Sequence, residues 1–415
     1  MLNLHQLIEK YGQPDALIDH WDSSSNRFAI WGFEEKFMIT NTGRCLRNGK
    51  KIDSSPMDAW QDTLNHWKSD NNKLSALGYL SYDLKNILFP HIPFKTPDSS
   101  NPLLWFGKPK HVEAYQITET GKCPLHMIQL EKDIPVPTEY ESTIYEIKSH
   151  LMNGDSYQIN FTQPKLYKLF KDPLASYMDM REIIRPHYGM YLNHDEIQIL
   201  SFSPERFFRT LGIVIESFPM KGTRPRSADI INDECLASEL YHSSKDRAEH
   251  LMIVDLLRND IGKICEYGSV EVNNLYSIHS FETIHQMVSR VFGQLNHYIS
   301  ETDIIKALFP GGSITGAPKE RSMEIIDTLE GYQRGIYTGS LGYIQNNGDM
   351  DFNIAIRTMT IKGRKGIYPV GGGIVWDSDP MQEWQESQLK SEVLSPFVVK
   401  QKVHYSKPIT EFYSN

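Results

Sequence analysis

The 415-residue sequence is poor in cysteine and lacks any cysteine pattern. Its four cysteines, Cys45, Cys123, Cys235 and Cys265, are widely spaced and include no CxxC pair. That excludes a zinc site built on paired cysteines and a disulfide framework, and it suits a protein of the reducing cytoplasm. Long apolar runs are also missing: no window approaches the roughly 18 residues of a membrane span, so no membrane partner is expected. The opening MLNLHQLIEKYGQP carries charges and breaks early, so no secretory signal is expected. Excess positive charge is absent. Lys and Arg number 43 against 52 Asp and Glu, a net charge of -9, which argues against a nucleic-acid partner. An anionic substrate would need local basic residues set against this field.

What is present is ordinary globular composition, 40% hydrophobic and 23% charged, enough for a sizeable core. No internal repeat is visible. The first 130 residues are the less patterned part, with strand-like runs at 27–31 and 76–80. The stretch Asp133-Ile134-Pro135-Val136-Pro137-Thr138 reads as a seam, dividing an N-terminal region, 1–132, from a second region, 138–398. Beyond the seam a helix is expected over 139–152 and a strand over 157–162. Further strands are expected at 197–203, 206–210, 212–218, 336–345, 351–361 and 366–374, and helices at 244–261, 318–329 and 380–392. Strands mostly neighbour strands, which predicts an α+β fold with antiparallel sheets rather than a doubly wound parallel one.

Two helices carry carboxylate pairs. Asp246 and Glu249 are three residues apart on one, Glu383 and Glu386 on the other, so each pair shares a face. Together they suit a hard cation such as Mg²⁺, which keeps open positions for substrate oxygens. The plainer alternative also fits: Ser243 to Asp246 has capping-box spacing, and Glu386 to Lys390 is a common surface ion pair. Lys221 ends a strand beside Gly222, where desolvation would free its amine as a nucleophile; an exposed loop lysine is the alternative. Gly311–Lys319 is a glycine-rich turn opening a helix, but it lacks the GK[ST] ending of a phosphate loop and is no dinucleotide fingerprint. Val370–Ile374 is a second glycine cluster, which lets a ligand approach the backbone closely. Arg357, in an otherwise apolar run, suits a bidentate carboxylate contact. His285 is either a polar site group or a satisfied core histidine. Residue chemistry alone thus reaches a cation-dependent site for a small polycarboxylate, with a lysine available.

Eight blocks, taken in order, resemble the chorismate-utilising enzymes: GDSYQINFTQ (154–163), SFSPERFFR (201–209), PMKGTRPR (219–226), SSKDRAEHLMIVDLLRNDIG (243–262), FPGGSITGAPKERSMEII (309–326), IYTGSLGYI (336–344), FNIAIRTM (352–359) and GGGIVWDSDPMQEWQESQLK (371–390). The resemblance is dense over 140–398 and weaker over 1–130. It implies two packed antiparallel sheets with helices outside, as in anthranilate synthase component I. Lys221, where anthranilate synthases have alanine, is similar to the aminodeoxychorismate synthase component I subgroup. Gln158 stands where isochorismate and salicylate synthases place a lysine that activates water. Met220 and His250 depart from the subgroup, which has isoleucine and asparagine there.

The resemblance implies that chorismate and ammonia give 4-amino-4-deoxychorismate, toward 4-aminobenzoate and folate. Lys221 would be the nucleophile and Glu205 the general acid. Mg²⁺ would sit on Glu249 and Glu386, with Asp246 and Glu383 completing the shell. Tyr337, Arg357 and the Gly373 backbone would hold the enolpyruvyl carboxylate, Lys390 and Thr223 would contact substrate, and His285 would line the ring. No glutaminase segment is recognisable, so a separate glutamine amidotransferase subunit is the expected source of ammonia. Anthranilate synthase component I and a non-catalytic chorismate-binding relative are the alternatives. The stretch 17–24 loosely resembles the rim of the family's tryptophan pocket, and tryptophan binding is left open.

Overall fold

The computed structural model describes residues 2–20, 27–68, 73–97, 101–116, 127–132, 137–281 and 284–399. Trp21–Ser24, part of the stretch that loosely resembles a tryptophan-pocket rim, and residues 133–136 of the expected seam lie outside them. Every registered strand pair is antiparallel, and the pairs join the strands into one ladder. Ile128–Lys132 and Gly316–Ala317 edge the strand Gln158–Leu169, from which the ladder runs through Lys365–Ile374, Thr358–Lys362, Ile197–Ser203, Tyr188–His194 and Ala16–Asp19. It continues through Phe28–Ile39, Leu104–Ala114, Leu74–Leu80, Ser340–Gln345, Met350–Asn353, Arg206–Leu211 and Val214–Ser217 to Ile284–Gln294. Met220–Pro225 and Glu271–Ser280 flank that last strand.

The two-residue strand period explains how this ladder makes layers. Leu77, Tyr79 and Trp105 of one half meet Ala16, Ile18, Leu192 and Ile199 of the other in a core between the halves. Trp105 stacks on His194 across that interface, ring centroids 4.3 Å apart. The alternate residues face outward. Ala76, Leu80 and Phe106 pack under helices Pro56–Trp67, Ser244–Gly262 and Glu301–Leu308. Leu17, Tyr191 and Leu200 pack under Leu4–Tyr11 and Pro173–Ile184. The fold is therefore α+β, with two packed antiparallel layers and helices outside, as expected. The layers are continuous through the short Ala16–Ile18 and Phe28–Ile30 pairing. No helix among the described residues is long and apolar enough to cross a membrane.

Helices expected at 139–152, 244–261 and 318–329 appear as Pro137–Met152, Ser244–Gly262 and Lys319–Leu329. The helix expected at 380–392 ends at Leu389. Three expected strands are shorter. The run 212–218 is reduced to Val214–Ser217, with Gly212 before it in a left-handed φ of 58°. The run 351–361 is split after Asn353 and resumes at Thr358, because Arg357 between them takes a left-handed φ of 48°. The run 336–345 starts only at Ser340, since Ile336–Gly339 forms a turn in which Thr338 has φ 59°. Helix Ile230–His242, capped by Asp229, was not expected; it packs against Met220–Pro225 and helps to wall the site.

Candidate active site

Lys221 lies on Met220–Pro225, and the register slips between Lys221 and Thr223. Gly222 makes that bulge possible. Its φ is 68°, and a Cβ there would sit 2.7 Å from Leu240 and 3.0 Å from Asp246 Oδ1. The bulge turns the Lys221 side chain toward the glycine strand: a Cβ on Gly373 would lie 3.4 Å from Lys221 Nζ and 2.8 Å from Gln158 Nε2. Bare glycine backbone is thus what leaves room beside the lysine. Burial pushes the Lys221 amine below its ordinary pKa, aided by Lys390, while Glu249, Glu205 and Glu386 oppose the shift.

Glu205 follows the strand Ile197–Ser203. Its N–H donates to Ser203 Oγ at 3.2 Å, and its own carboxylate accepts from Ser313 Oγ at 3.3 Å. The next residue, Arg206, grips Asp351 with two bonds of 3.0 and 3.1 Å. Burial raises the Glu205 carboxyl to about 7, against the lowering effect of Lys221 and Ser313. A lysine pushed toward neutral thus faces a carboxyl pushed toward protonated, which is how acid and nucleophile roles are separated at neutral pH. Beside Gly373 and Lys221, Gln158 is fully buried, and neither atom of its amide has a hydrogen-bond partner among the described residues. Such an amide is costly unless a ligand completes it. His250, also buried, bonds Ser289 Oγ at 2.6 Å, and burial together with Lys221 lowers its pKa to about 4.

The four helix carboxylates differ in their commitments. Asp246 pairs with Arg224 at 3.1 Å, and Arg224 also holds Glu239. Glu383 accepts from Ser378 Oγ at 2.7 Å. Glu386 pairs with Lys390 at 2.8 Å, and Lys390 also donates to Gly371 O at 2.7 Å. Glu249 makes no hydrogen bond or ion pair among the described residues. Burial raises the Glu249 and Glu383 carboxyls, and the Glu386 charge adds to both; Lys390 lowers that of Glu386. Lys245 also acts on all three. The two helices therefore face each other with their charges coupled. Among the described residues no three His, Cys, Asp or Glu side chains converge into a ready ligand group. An unpartnered Glu249 facing Glu386 is an all-oxygen, open donor set, which fits a hard cation completed by ligand oxygens and does not fit a closed cage.

Tyr337 and Tyr368 are buried, the Tyr368 hydroxyl has no partner among the described residues, and the charge of Arg357 acts on that hydroxyl. Arg357 has no carboxylate partner among the described residues. Tyr368 lies on the same glycine strand as Gly373. Thr223 and His285 are expected site residues that no contact among the described residues brings to Lys221. Thr223 is exposed on the same strand. The ring nitrogens of His285 are taken by Ser280 Oγ and Asp233 Oδ1, each at 2.9 Å. Conversely, the structure adds Ser313 and Lys245, and it places Gln158, noted in the sequence only as standing at a lysine position of isochorismate synthases, beside Gly373.

A family model described as chorismate binding enzyme matches residues 124–396. Aminodeoxychorismate synthase component 1 of Bacillus subtilis is 42% identical over 252 residues, 61% of this chain and 54% of that protein. The matched stretch thus spans about half the length of that relative. Anthranilate synthase component 1 of Saccharolobus solfataricus is 39% identical over 338 residues, 78% of this chain and 80% of that protein. The crystal structure of anthranilate synthase component I from Streptococcus pneumoniae superposes with a TM-score of 0.78 at 24% identity, covering 89% of this chain and 92% of that one, a likeness of fold. With the family model covering more than half of the sequence, the chain belongs to the chorismate binding enzymes.

Proposed function

We propose that the protein aminates chorismate to 4-amino-4-deoxychorismate. The observation that carries this reading is the opposed pair, a lowered Lys221 amine facing a raised Glu205 carboxyl beside bare glycine backbone. Neutral Lys221 Nζ forms a bond to ring C2 while the C4–oxygen bond breaks. Glu205 gives its proton to the departing hydroxyl, which leaves as water. Ammonia then forms a bond to C4, the ring double bond returns, and the C2–Nζ bond breaks to release neutral lysine. The Glu205 carboxylate takes the surplus proton from the new ammonium group, restoring both residues. Arg357, Tyr337 and the Gly373 backbone would hold the enolpyruvyl carboxylate. Lys390 and Thr223 would contact the rest of the substrate, and His285 would border the ring through its backbone strand.

Mg²⁺ would be held by Glu249 and Glu386, with Glu383 and Asp246 beside them, and would supply positive charge that offsets the substrate carboxylates. The ammonia would come from a glutamine amidotransferase partner, which the name of the relatives as a component 1 supports. The test is a product assay with chorismate, Mg²⁺ and ammonium. Anthranilate is the product of the second reading, which the broad match to the Saccharolobus solfataricus protein favours. It would make Lys221 a bystander.

A further inference from the structure

Arg334 lies outside the cluster around Lys221, yet it is one of the most completely bonded side chains in the molecule. Its side chain is 1% exposed and that of its partner Glu330 is 3% exposed. An arginine fork has five N–H donors, and here all five are used. Nε donates to Glu330 Oε2 at 2.8 Å. Nη2 donates to Glu330 Oε1 at 2.7 Å and to Asn160 O at 2.6 Å. Nη1 donates to Ile314 O at 2.8 Å and to Thr338 Oγ1 at 3.3 Å. Glu330 Oε1 also accepts from Thr162 N–H at 2.8 Å and Thr162 Oγ at 2.7 Å.

The identity of those acceptors matters more than their number. Asn160 is on the strand headed by Gln158. Thr338 follows Tyr337. Ile314 follows Ser313, the residue whose hydroxyl donates to Glu205. A buried ion pair kept for stability alone is replaceable by apolar side chains of similar volume. Apolar side chains cannot bond three separate segments at once, whereas the rigid fork of arginine does. The other anchors of the turn that carries Ser313 are the pairing of Gly316 with Ile159, Thr315 Oγ1 to Gly311 O at 2.9 Å and Asn160 N–H to Thr315 O at 2.8 Å, and these hold Gly311, Thr315 and Gly316 rather than Ile314.

We propose that Arg334, paired with Glu330, is a positioning residue: it fixes the Gly311–Gly316 turn, and through Ser313 it holds the Glu205 carboxyl in its place facing Lys221. The role deepens the amination reading, since Glu205 is the proton donor there. Its test reads the Glu205 carboxyl directly and needs no turnover.

The experiment is a pH titration of the intact protein by infrared difference spectroscopy, with Glu205→Gln identifying the Glu205 carboxyl band. Lys221 faces that carboxyl in every variant compared. Ser313→Ala removes a hydrogen bond to the charged form and is expected to raise the titration midpoint by about half to one pH unit. Arg334→Lys, folded as judged by circular dichroism, is expected to raise it by the same amount. The double variant is expected to move it no further, because both changes act through one bond. A wild-type midpoint in folded Arg334→Lys, or shifts that add in the double variant, would overturn the proposal. Where Arg334→Lys does not fold, Glu330→Gln, which keeps an acceptor oxygen, is judged by the same two outcomes. A wild-type protein that fails to aminate chorismate, with the midpoint shift intact, sinks the amination reading and leaves the positioning role standing.

Discussion

The molecule contains two pairs of opposite charge that are built on different terms, Arg334–Glu330 buried and Lys221–Glu205 half-buried. In Arg334–Glu330 every donor of the guanidinium has a partner, and Glu330 is bonded by Thr162 as well. Among the described residues no bond joins Lys221 and Glu205, the Gln158 amide near Lys221 has none, and Glu249 makes no hydrogen bond or ion pair. Buried polar groups are normally satisfied. A region that leaves several unsatisfied within reach of one another is a region shaped for something else to complete. The contrast separates a structural network from a reactive one without reference to the identity of any ligand.

The comparison breaks most visibly at Lys221. Lys221→Ala is expected to lower amination at low ammonia by at least ~10³-fold, with thermal stability held or improved, since it removes a half-buried amine without a bonded partner among the described residues. Chorismate turnover followed by product chromatography checks it, and an unchanged rate would end the covalent role of the lysine. Glu205→Gln is expected to lower kcat by about 10²-fold, as for loss of a general acid. In the wild-type protein kcat/KM should fall on the alkaline side as Glu205 loses its proton near pH 7, and that limb should vanish in the variant. The same raised carboxyl carries a sign for stability. The folded state holds the proton more tightly, so its contribution is present below the ordinary carboxyl pKa and is lost as pH rises through about 7.

On the satisfied side the effects reverse. Arg334→Met strands Glu330 in the core and is expected to cost about 3–5 kcal/mol in a urea titration. Glu386→Gln is expected to weaken cation binding by roughly tenfold, read by calorimetric Mg²⁺ titration, through lost charge at an oxygen site. An unaltered titration would take Glu386 out of the cation site. The smallest effect sharpens the contrast furthest. Gln158→Leu is expected to raise stability by about 1 kcal/mol while lowering activity, because it removes an amide that only a ligand completes. A stability loss there would show that the amide is satisfied in the folded protein.

Much of the fold was legible because helix periodicity and caps are local signals. The helix Ser244–Gly262 was placed within a residue of its ends, with Ser243 as its cap. What was not legible depended on distant partners. The break of the run 351–361 at Arg357 comes from a left-handed backbone that an apolar run does not announce. Helix Ile230–His242 is mostly exposed and lacks a strong apolar stripe, so its periodicity is faint. At the site, the carboxylate pairs were readable from spacing of three, and the Glu386–Lys390 pair formed as a plain surface pair would. The commitment of Asp246 to Arg224 was not readable, because it joins a strand to a helix. His285 shows the same limit: its pattern allowed a site role or a core role, and only the Asp233 helix reveals where its ring nitrogens go. Gln158 was readable as a residue type, but its unsatisfied amide became visible only once Gly373 and Lys221 stood beside it.

The central claim is that Lys221 and Glu205 direct an amine to C4 of chorismate. The most direct measurement incubates the purified protein with chorismate, Mg²⁺ and excess ammonium at mildly alkaline pH, with and without a glutamine amidotransferase subunit, and identifies the product by mass and chromatography. The account predicts 4-amino-4-deoxychorismate, trapped as 4-aminobenzoate by added lyase, and its loss in Lys221→Ala. Anthranilate as the product, or no turnover even with the amidotransferase present, would contradict it.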